Sequence, residues 1–247
     1  MFMKIVGGKQ MNNNQGIVFK DKNKVKVENF EIPVPGENEV LIETKCSLIS
    51  TGTELTILSG EFPADSLWNK FAKYPFNPGY NNVGHIIKVG KNVEESYIGQ
   101  RVATCNNHKK YVVSSIDELR PIPDGVADED AVFFTIAEIV MNGIRRGEIS
   151  WGESAAVFGL GLLGQLAVRI AYVAGARPVI GLDIAESRLD YMPDNNGIVA
   201  INTKNSDWVE QVKKITKERM VDTVVELTGN SSVITSEFQI LRDQGRF

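Results

Sequence analysis

The stretch Ala155-Ala156-Val157-Phe158-Gly159-Leu160-Gly161-Leu162-Leu163-Gly164 constrains this chain more than any other. A short apolar run passes without a linker into G-x-G-x-x-G and then into a helical segment, an order satisfied by a buried strand, a tight turn and a helix. Gly159 permits the turn out of the strand, Gly161 lets the backbone come close to a pyrophosphate, and Gly164 lets helix and strand pack closely. The helix that opens at Leu162 and Leu163 offers unpaired N–H groups and the positive end of its dipole. This is the pattern of a dinucleotide-binding turn. Beyond it Gln165, Arg169 and Tyr172 fall on one helical stripe and Ala167, Ala171 and Ala174 on another, and Gly175 reads as the C-cap.

A second buried strand, Pro178 to Leu182, ends in Asp183, about twenty residues after the last glycine of the turn. A carboxylate there accepts hydrogen bonds from both hydroxyls of an adenosine ribose and repels a 2′-phosphate, so the expected cofactor is NAD rather than NADP. Arg188, five residues on, and Thr228, just beyond the strand-like run Val221 to Leu227, complete the candidate cofactor contacts. The other use for Asp183 is to cap a helix beginning near Glu186.

The rest of the chain divides around residue 140. From Ile17 to about Tyr111, short strand-like runs such as Lys24–Val27, Val40–Glu43, Val83–Val89 and Tyr111–Val113 are broken by Pro, Gly and Asn, with a helical period only near Ser66 to Lys73. Such spacing indicates a partly open barrel or a sandwich. The polar, Asn-rich start through Asn14 is expected to fray. From Asp128 the period turns helical, and after the glycine turn strands and helices alternate through Gly197–Ile201, Asp207–Lys217 and Val221–Leu227, as in a parallel sheet covered by helices on both faces. With 247 residues, 43% of them hydrophobic, two moderate cores are expected: a barrel over residues 1–140 and a dinucleotide-binding domain over 141–247.

Ser232 to Leu241 reads as a further helix, with Gln244 to Phe247 opening a fifth strand. A doubly wound domain normally has six strands, so this one is expected to be incomplete at its C-terminus. The expectation for such a chain, if it is all that folds, is weak dinucleotide binding governed by the adenosine half and no turnover, with self-association into a homo-oligomer through the unpaired sheet edge. A net charge of −4 with scattered lysines argues against nucleic acid as a partner. No signal segment or membrane-length apolar run is visible, which points to a cytoplasmic protein without membrane association, acting on a small molecule. Cys46 and Cys105 have no C-x-x-C partner and read as small hydrophobes in a reducing compartment.

The order of barrel, helical bridge, glycine turn and acidic strand end resembles the medium-chain dehydrogenase/reductase family, the zinc-type alcohol dehydrogenases and their relatives. The resemblance runs from about Ile17 to Phe247. It is carried by Glu39-Val40-Leu41-Ile42, Thr51-Gly52-Thr53-Glu54, Pro78-Gly79-Tyr80-Asn81-Asn82-Val83-Gly84, Gly99-Gln100-Arg101-Val102, Leu119-Arg120-Pro121-Ile122-Pro123-Asp124-Gly125 and the glycine turn. It implies an α/β protein: a GroES-like β-barrel followed by a Rossmann doubly wound parallel sheet, here truncated.

The zinc site is where the pattern breaks. The family's C-G-[ST]-D reads Thr51-Gly52-Thr53-Glu54, its P-G-H-E reads Pro78-Gly79-Tyr80-Asn81, and a third ligand would fall near Thr135. Zinc is held by thiolate, imidazole or carboxylate donors, so no metal is expected. The resemblance then implies hydride transfer between NAD(H) and a carbonyl, alcohol or activated alkene, with polarisation supplied by side-chain donors. Thr53 stands at the family's proton-relay hydroxyl, Tyr80 where the histidine ligand would be, and Asn81 or Asn82 could orient substrate. For Tyr80, barrel packing is the competing role. His108, in a polar loop, is a further catalytic candidate whose bland alternative is simple solvation, and His85 reads as structural. The alternative function is a non-catalytic nucleotide-binding protein or pseudoenzyme.

Overall fold

The computed structural model describes residues 2–4, 13–63 and 65–247, in two units that meet between Thr135 and Ile136. In the first unit the strands are β1 (Phe2–Lys4), β2 (Asn14–Asp21), β3 (Lys24–Phe30), β4 (Glu39–Leu48), β5 (Asn82–Val89), β6 (Arg101–Thr104), β7 (Tyr111–Ser115) and β8 (Arg120–Pro121). The helices are α1 (Thr53–Ser59), α2 (Leu67–Phe71) and α3 (Asp128–Ala131). The ten-residue β4 organises the barrel. It pairs with β5 along most of its length, with β7 through Glu39–Glu43 and with β1 through Cys46–Leu48, all antiparallel. β6 and β8 extend the β5 side, and the β2–β3 hairpin forms a separate ribbon. Val40, Ile42, Ile86, Val102 and Val112 fill the interior, the inward set that period-2 alternation dictates.

Two expectations change here. Asn14 is no frayed residue: it is buried in β2, its amide exchanging hydrogen bonds with the Tyr111 N–H and C=O at 2.9 and 3.0 Å. Phe2–Lys4 are held in β1 and Asn13 is exposed, whereas residues 5–12 lie outside the described residues. The turn after β4 also winds into the helix α1, which the β-rich pattern around it concealed. Helix α2 stands where the helical period placed it, with the Ser66 hydroxyl accepting the Asn69 N–H at 3.1 Å as N-cap.

The second unit contains α4 (Phe134–Arg146), which begins two residues before the boundary. Its other elements are β9 (Ala155–Phe158), α5 (Leu162–Val173), β10 (Val179–Asp183), α6 (Glu186–Leu189), β11 (Ile198–Asn202), α7 (Trp208–Ile215), β12 (Val221–Glu226), α8 (Ile234–Glu237) and β13 (Leu241–Arg246). The strands form one parallel sheet in the order β11-β10-β9-β12-β13. Successive residues of β9 serve opposite layers. Ala155 and Val157 pack with Val140, Val168 and Val179 on one face, and Ala156 and Phe158 with Ile180, Val212 and Ile240 on the other. Burial on both faces is why the strands read as unbroken apolar runs.

The expected last helix is three short turns spanning 231–240, and the fifth strand begins earlier than expected, at Leu241. Leu241 pairs with Val221 and Arg246 with Thr223, so the intervening residues bulge out of the ladder, with Gln244 at φ 59°. Among the described residues no helix is long and apolar enough to cross a membrane.

Candidate functional site

In the parallel-sheet unit the site grows out of the turn after β9. Gly159 has φ 84°, and a Cβ there would stand 2.7 Å from the backbone of Leu227 and Thr228, so only glycine lets this turn pass beside β12. A Cβ at Gly164 would lie 2.0 Å from the Gly159 carbonyl oxygen, which makes that glycine a requirement of helix–turn packing. Gly161 is different. A Cβ on it would meet nothing within 4 Å, because its α-carbon faces a cleft of about 540 Å³. Gly161 is also the N-cap of α5 and supplies no capping side chain, so the N–H groups of the first turn are left for a ligand.

Asp183, at the carboxyl end of β10, forms one wall of the cleft. Its Oδ2 accepts the Leu160 N–H at 2.7 Å and Arg188 Nη1–H at 3.1 Å, and its Oδ1 accepts the Ala185 N–H at 2.9 Å. Burial by itself would raise this carboxyl. The N–H groups of Ala185 and Leu160 and the Arg188 guanidinium outweigh burial and hold it below the usual 3.8. Asp183 does not cap α6, whose N-cap is Ala185 with no side-chain bond.

Arg188 and Thr228 line the same cleft, as do Gly159 and Gly161. Leu162 and Leu163 do not line it; they form the first turn of α5, where Leu163 packs on the core. Trp208, Thr203 and Glu226 were missed by sequence reasoning. Trp208 and Thr203 also line the cleft. Glu226 ends β12 as Asp183 ends β10, on the opposite side of β9, and it accepts the N–H groups of Thr228 and Gly229 at 2.6 and 3.0 Å. An acid ending each of two strands that flank the glycine turn was the available signal.

In the barrel unit Thr53 opens α1 and is half-buried, and Tyr80 is half-buried with its C=O accepting the Thr135 hydroxyl at 3.2 Å. Thr135 thus stands beside Tyr80, and Cys105, an exposed rather than a buried cysteine, places Sγ 3.7 Å from the Thr135 hydroxyl. Asn82 is tied to Thr44 and to the Asn107 carbonyl. Asn81 is 0% exposed, and among the described residues neither of its amide atoms has a hydrogen-bond partner.

His108 is not a solvated loop residue: it is 1% exposed. Its Nδ1 meets Ser47 Oγ at 2.8 Å and its Nε2 meets Glu54 Oε2 at 2.8 Å, while Glu54 Oε1 accepts the Ser50 N–H at 2.9 Å. Both ring nitrogens are therefore engaged inside the protein. His108 fastens the loop bearing Thr51 and Thr53 to the segment bearing Tyr80, since its own N–H donates to the Pro78 carbonyl at 2.9 Å. Among the described residues no three of His, Cys, Asp and Glu stand together as a metal-ligand group. The hydroxyl, phenol and amide groups of Thr51, Tyr80 and Asn81 do not fit zinc.

Residues 36–132 match the alcohol dehydrogenase GroES-like domain and residues 163–247 the zinc-binding dehydrogenase domain. The chain is 26% identical over 218 residues to D-guloside 3-dehydrogenase of Escherichia coli, covering 81% of this chain and 62% of that protein. It is 24% identical to sorbitol dehydrogenase of Bacillus subtilis, over 95% of this chain and 74% of the relative. The fold superposes on a zinc-binding dehydrogenase of Sinorhizobium meliloti, solved bound to NADP, with a TM-score of 0.81 at 18% identity, over 95% of this chain and 75% of that one. Barrel, parallel sheet, glycine turn and these matches together make the chain a member of the medium-chain dehydrogenase/reductase family, the zinc-type alcohol dehydrogenases and their relatives.

Proposed function

We propose that the protein is an NAD(H)-linked oxidoreductase that works without zinc, moving a hydride between the cofactor and an alcohol or carbonyl carbon. The carrying observation is the cleft at the carboxyl ends of β9, β10 and β12, where an open-faced Gly161, uncapped α5 N–H groups and the ionised Asp183 stand together. When bound, the nicotinamide supplies the hydride chemistry. The protein's part is positioning. The α5 N-terminus attracts a pyrophosphate, and Asp183 accepts from ribose hydroxyls while disfavouring a 2′-phosphate, with Thr228 on the facing wall. In the barrel unit, the half-buried Thr53 hydroxyl and Tyr80 phenol donate to a substrate oxygen and carry its proton, whereas Asn81, fully buried, does not reach the substrate. His108 acts through Glu54 and Ser47 to hold Thr53 in place and does not touch substrate.

The names of the relatives, a guloside and a sorbitol dehydrogenase, support secondary alcohols of polyols as the first substrates to try. A second reading, nucleotide binding without turnover, draws on the full engagement of the His108 ring. The deciding experiment is turnover of NAD with a panel of polyols, together with metal analysis of the purified protein. NAD reduction without stoichiometric zinc is the expected result. One bound zinc held by the Thr51–Asn82 segments would overturn the metal-free reading, and NAD binding without turnover of any panel member would favour the second.

A further inference from the structure

Glu237, at the end of α8, is 0% exposed, and neither of its carboxyl oxygens has an N–H or O–H partner among the described residues. Oε2 of Glu226 is in the same condition. The other oxygen, Glu226 Oε1, accepts the Thr228 N–H, the Thr228 hydroxyl and the Gly229 N–H, and so holds the segment that forms one rim of the cleft. The two carboxyls act directly on each other. Two carboxylates cannot share a buried site, but a single proton between them satisfies oxygens that are otherwise orphaned. Glu226 is the charged group that faces Glu237 from the sheet. On α7, Lys213 pairs with Glu210 at the surface and Lys214 is exposed, and on β13 Arg242 pairs with Asp222.

We propose that Glu237, in its protonated form, is a positioning residue of the dinucleotide cleft. Its O–H donates to Glu226 Oε2, which leaves Glu226 Oε1 to grip the Thr228–Gly229 rim. This rests on the dinucleotide reading of the cleft given above. Burial first, then the hydrogen bond and charge of Glu226, push the Glu237 carboxyl up to about 8 from its usual 4.5. A group raised in this way keeps its proton in the folded protein at neutral pH, and its contribution is lost as pH rises through about 8. Above that point the two carboxylates repel and the rim loosens.

The test is titration of NADH onto wild type and Glu237→Gln from about pH 6 to 10, with circular dichroism to confirm folding at each pH. Wild-type affinity is expected to fall about five-fold or more between pH 7 and pH 9. In Glu237→Gln it stays level, because the amide donates to Glu226 at every pH. A wild type with level affinity, or a glutamine variant that keeps the wild-type slope, overturns the inference alone. Failure of NADH to bind at any pH overturns the dinucleotide reading and the inference with it. Should Glu237→Gln not fold, carboxyl carbon NMR of the wild type decides. A Glu237 midpoint close to 8 that coincides with the loss of NADH affinity supports the proposal, and one near 4.5 overturns it.

Discussion

The two units bury polar side chains for different ends. In the barrel these groups partner one another across long stretches of chain: His108 reaches Glu54 and Ser47, Asn82 reaches Thr44, and Asn14 reaches the Tyr111 backbone. In the parallel-sheet unit, acids at the carboxyl ends of strands grip nearby backbone N–H groups: Asp183 those of Leu160 and Ala185, and Glu226 those of Thr228 and Gly229. The first pattern cross-links loops and consumes its donors and acceptors internally. The second shapes turns around an opening and leaves N–H groups and a carboxylate at its rim, where open α/β sheets bind ligands. Buried polarity is a fastening in one unit and the building material of a site in the other.

The hardest blow to this comparison is a methyl group in the glycine turn. Gly164→Ala drives a Cβ against the Gly159 carbonyl, and Gly159→Ala adds a left-handed φ to a backbone clash. Gly159→Ala is expected to cost about 4 kcal/mol of stability, from overpacking together with left-handed strain, and Gly164→Ala about 3 kcal/mol from overpacking alone. Gly161→Ala meets empty space and leaves folding intact, but its methyl intrudes where the pyrophosphate would approach, so NADH affinity falls. Thermal melts and NADH titration of the three variants separate packing from binding. A Gly164→Ala variant that melts like wild type would sink the assignment of that glycine to packing.

Next in size is the barrel's fastening. Glu54→Ala or His108→Ala leaves a buried partner unpaired and is expected to cost about 3 kcal/mol in denaturant unfolding, near the lower end for broken buried pairs. The double variant costs less than the sum of the singles, because the second change removes the orphan left by the first. NADH affinity is expected to stay as in wild type, since neither residue belongs to the unit that holds the cleft. An equal loss of NADH affinity in these variants would show that fastening and site-building are not separate jobs.

The same contrast explains what could be read in the sequence. The glycine turn, Asp183 and the β–α alternation are contiguous or closely spaced, and each residue's role follows from local backbone geometry, so the second unit was legible nearly throughout. His108 looked like a solvated loop histidine because its partners lie 54 and 61 residues away, a pairing that no local period encodes. Helix α1 was hidden for a related reason: its seven residues follow a strand and carry no side-chain N-cap to announce it. Glu226 carried a signal, as the strand-end counterpart of Asp183, whereas Glu237 carried none. An acid on a short helical turn of Ile-Thr-Ser-Glu looks solvent-facing until the fold buries it.

The smallest expected effect tests whether Asp183 belongs to ligand recognition as well as to the turn. Asp183→Ala removes an acceptor for ribose hydroxyls and the charge that would repel a 2′-phosphate, so the preference for NAD over NADP should fall by about ten-fold or more, in line with about 1.5–3 kcal/mol for a charged hydrogen bond. The Leu160 and Ala185 N–H groups lose their acceptor at the same time, so absolute affinity for both cofactors is expected to drop somewhat, and only the ratio isolates recognition. The charge needed for discrimination is complete at neutral pH. With its folded value held below 3.8, the Asp183 contribution is present above the ordinary carboxylate range and is lost only as the pH falls through that depressed value. The NAD/NADP affinity ratio of the wild type should accordingly stay level between about pH 6 and 8. An unchanged ratio in Asp183→Ala would reduce this carboxylate to a tie between two turns, the kind of internal fastening that distinguishes the barrel.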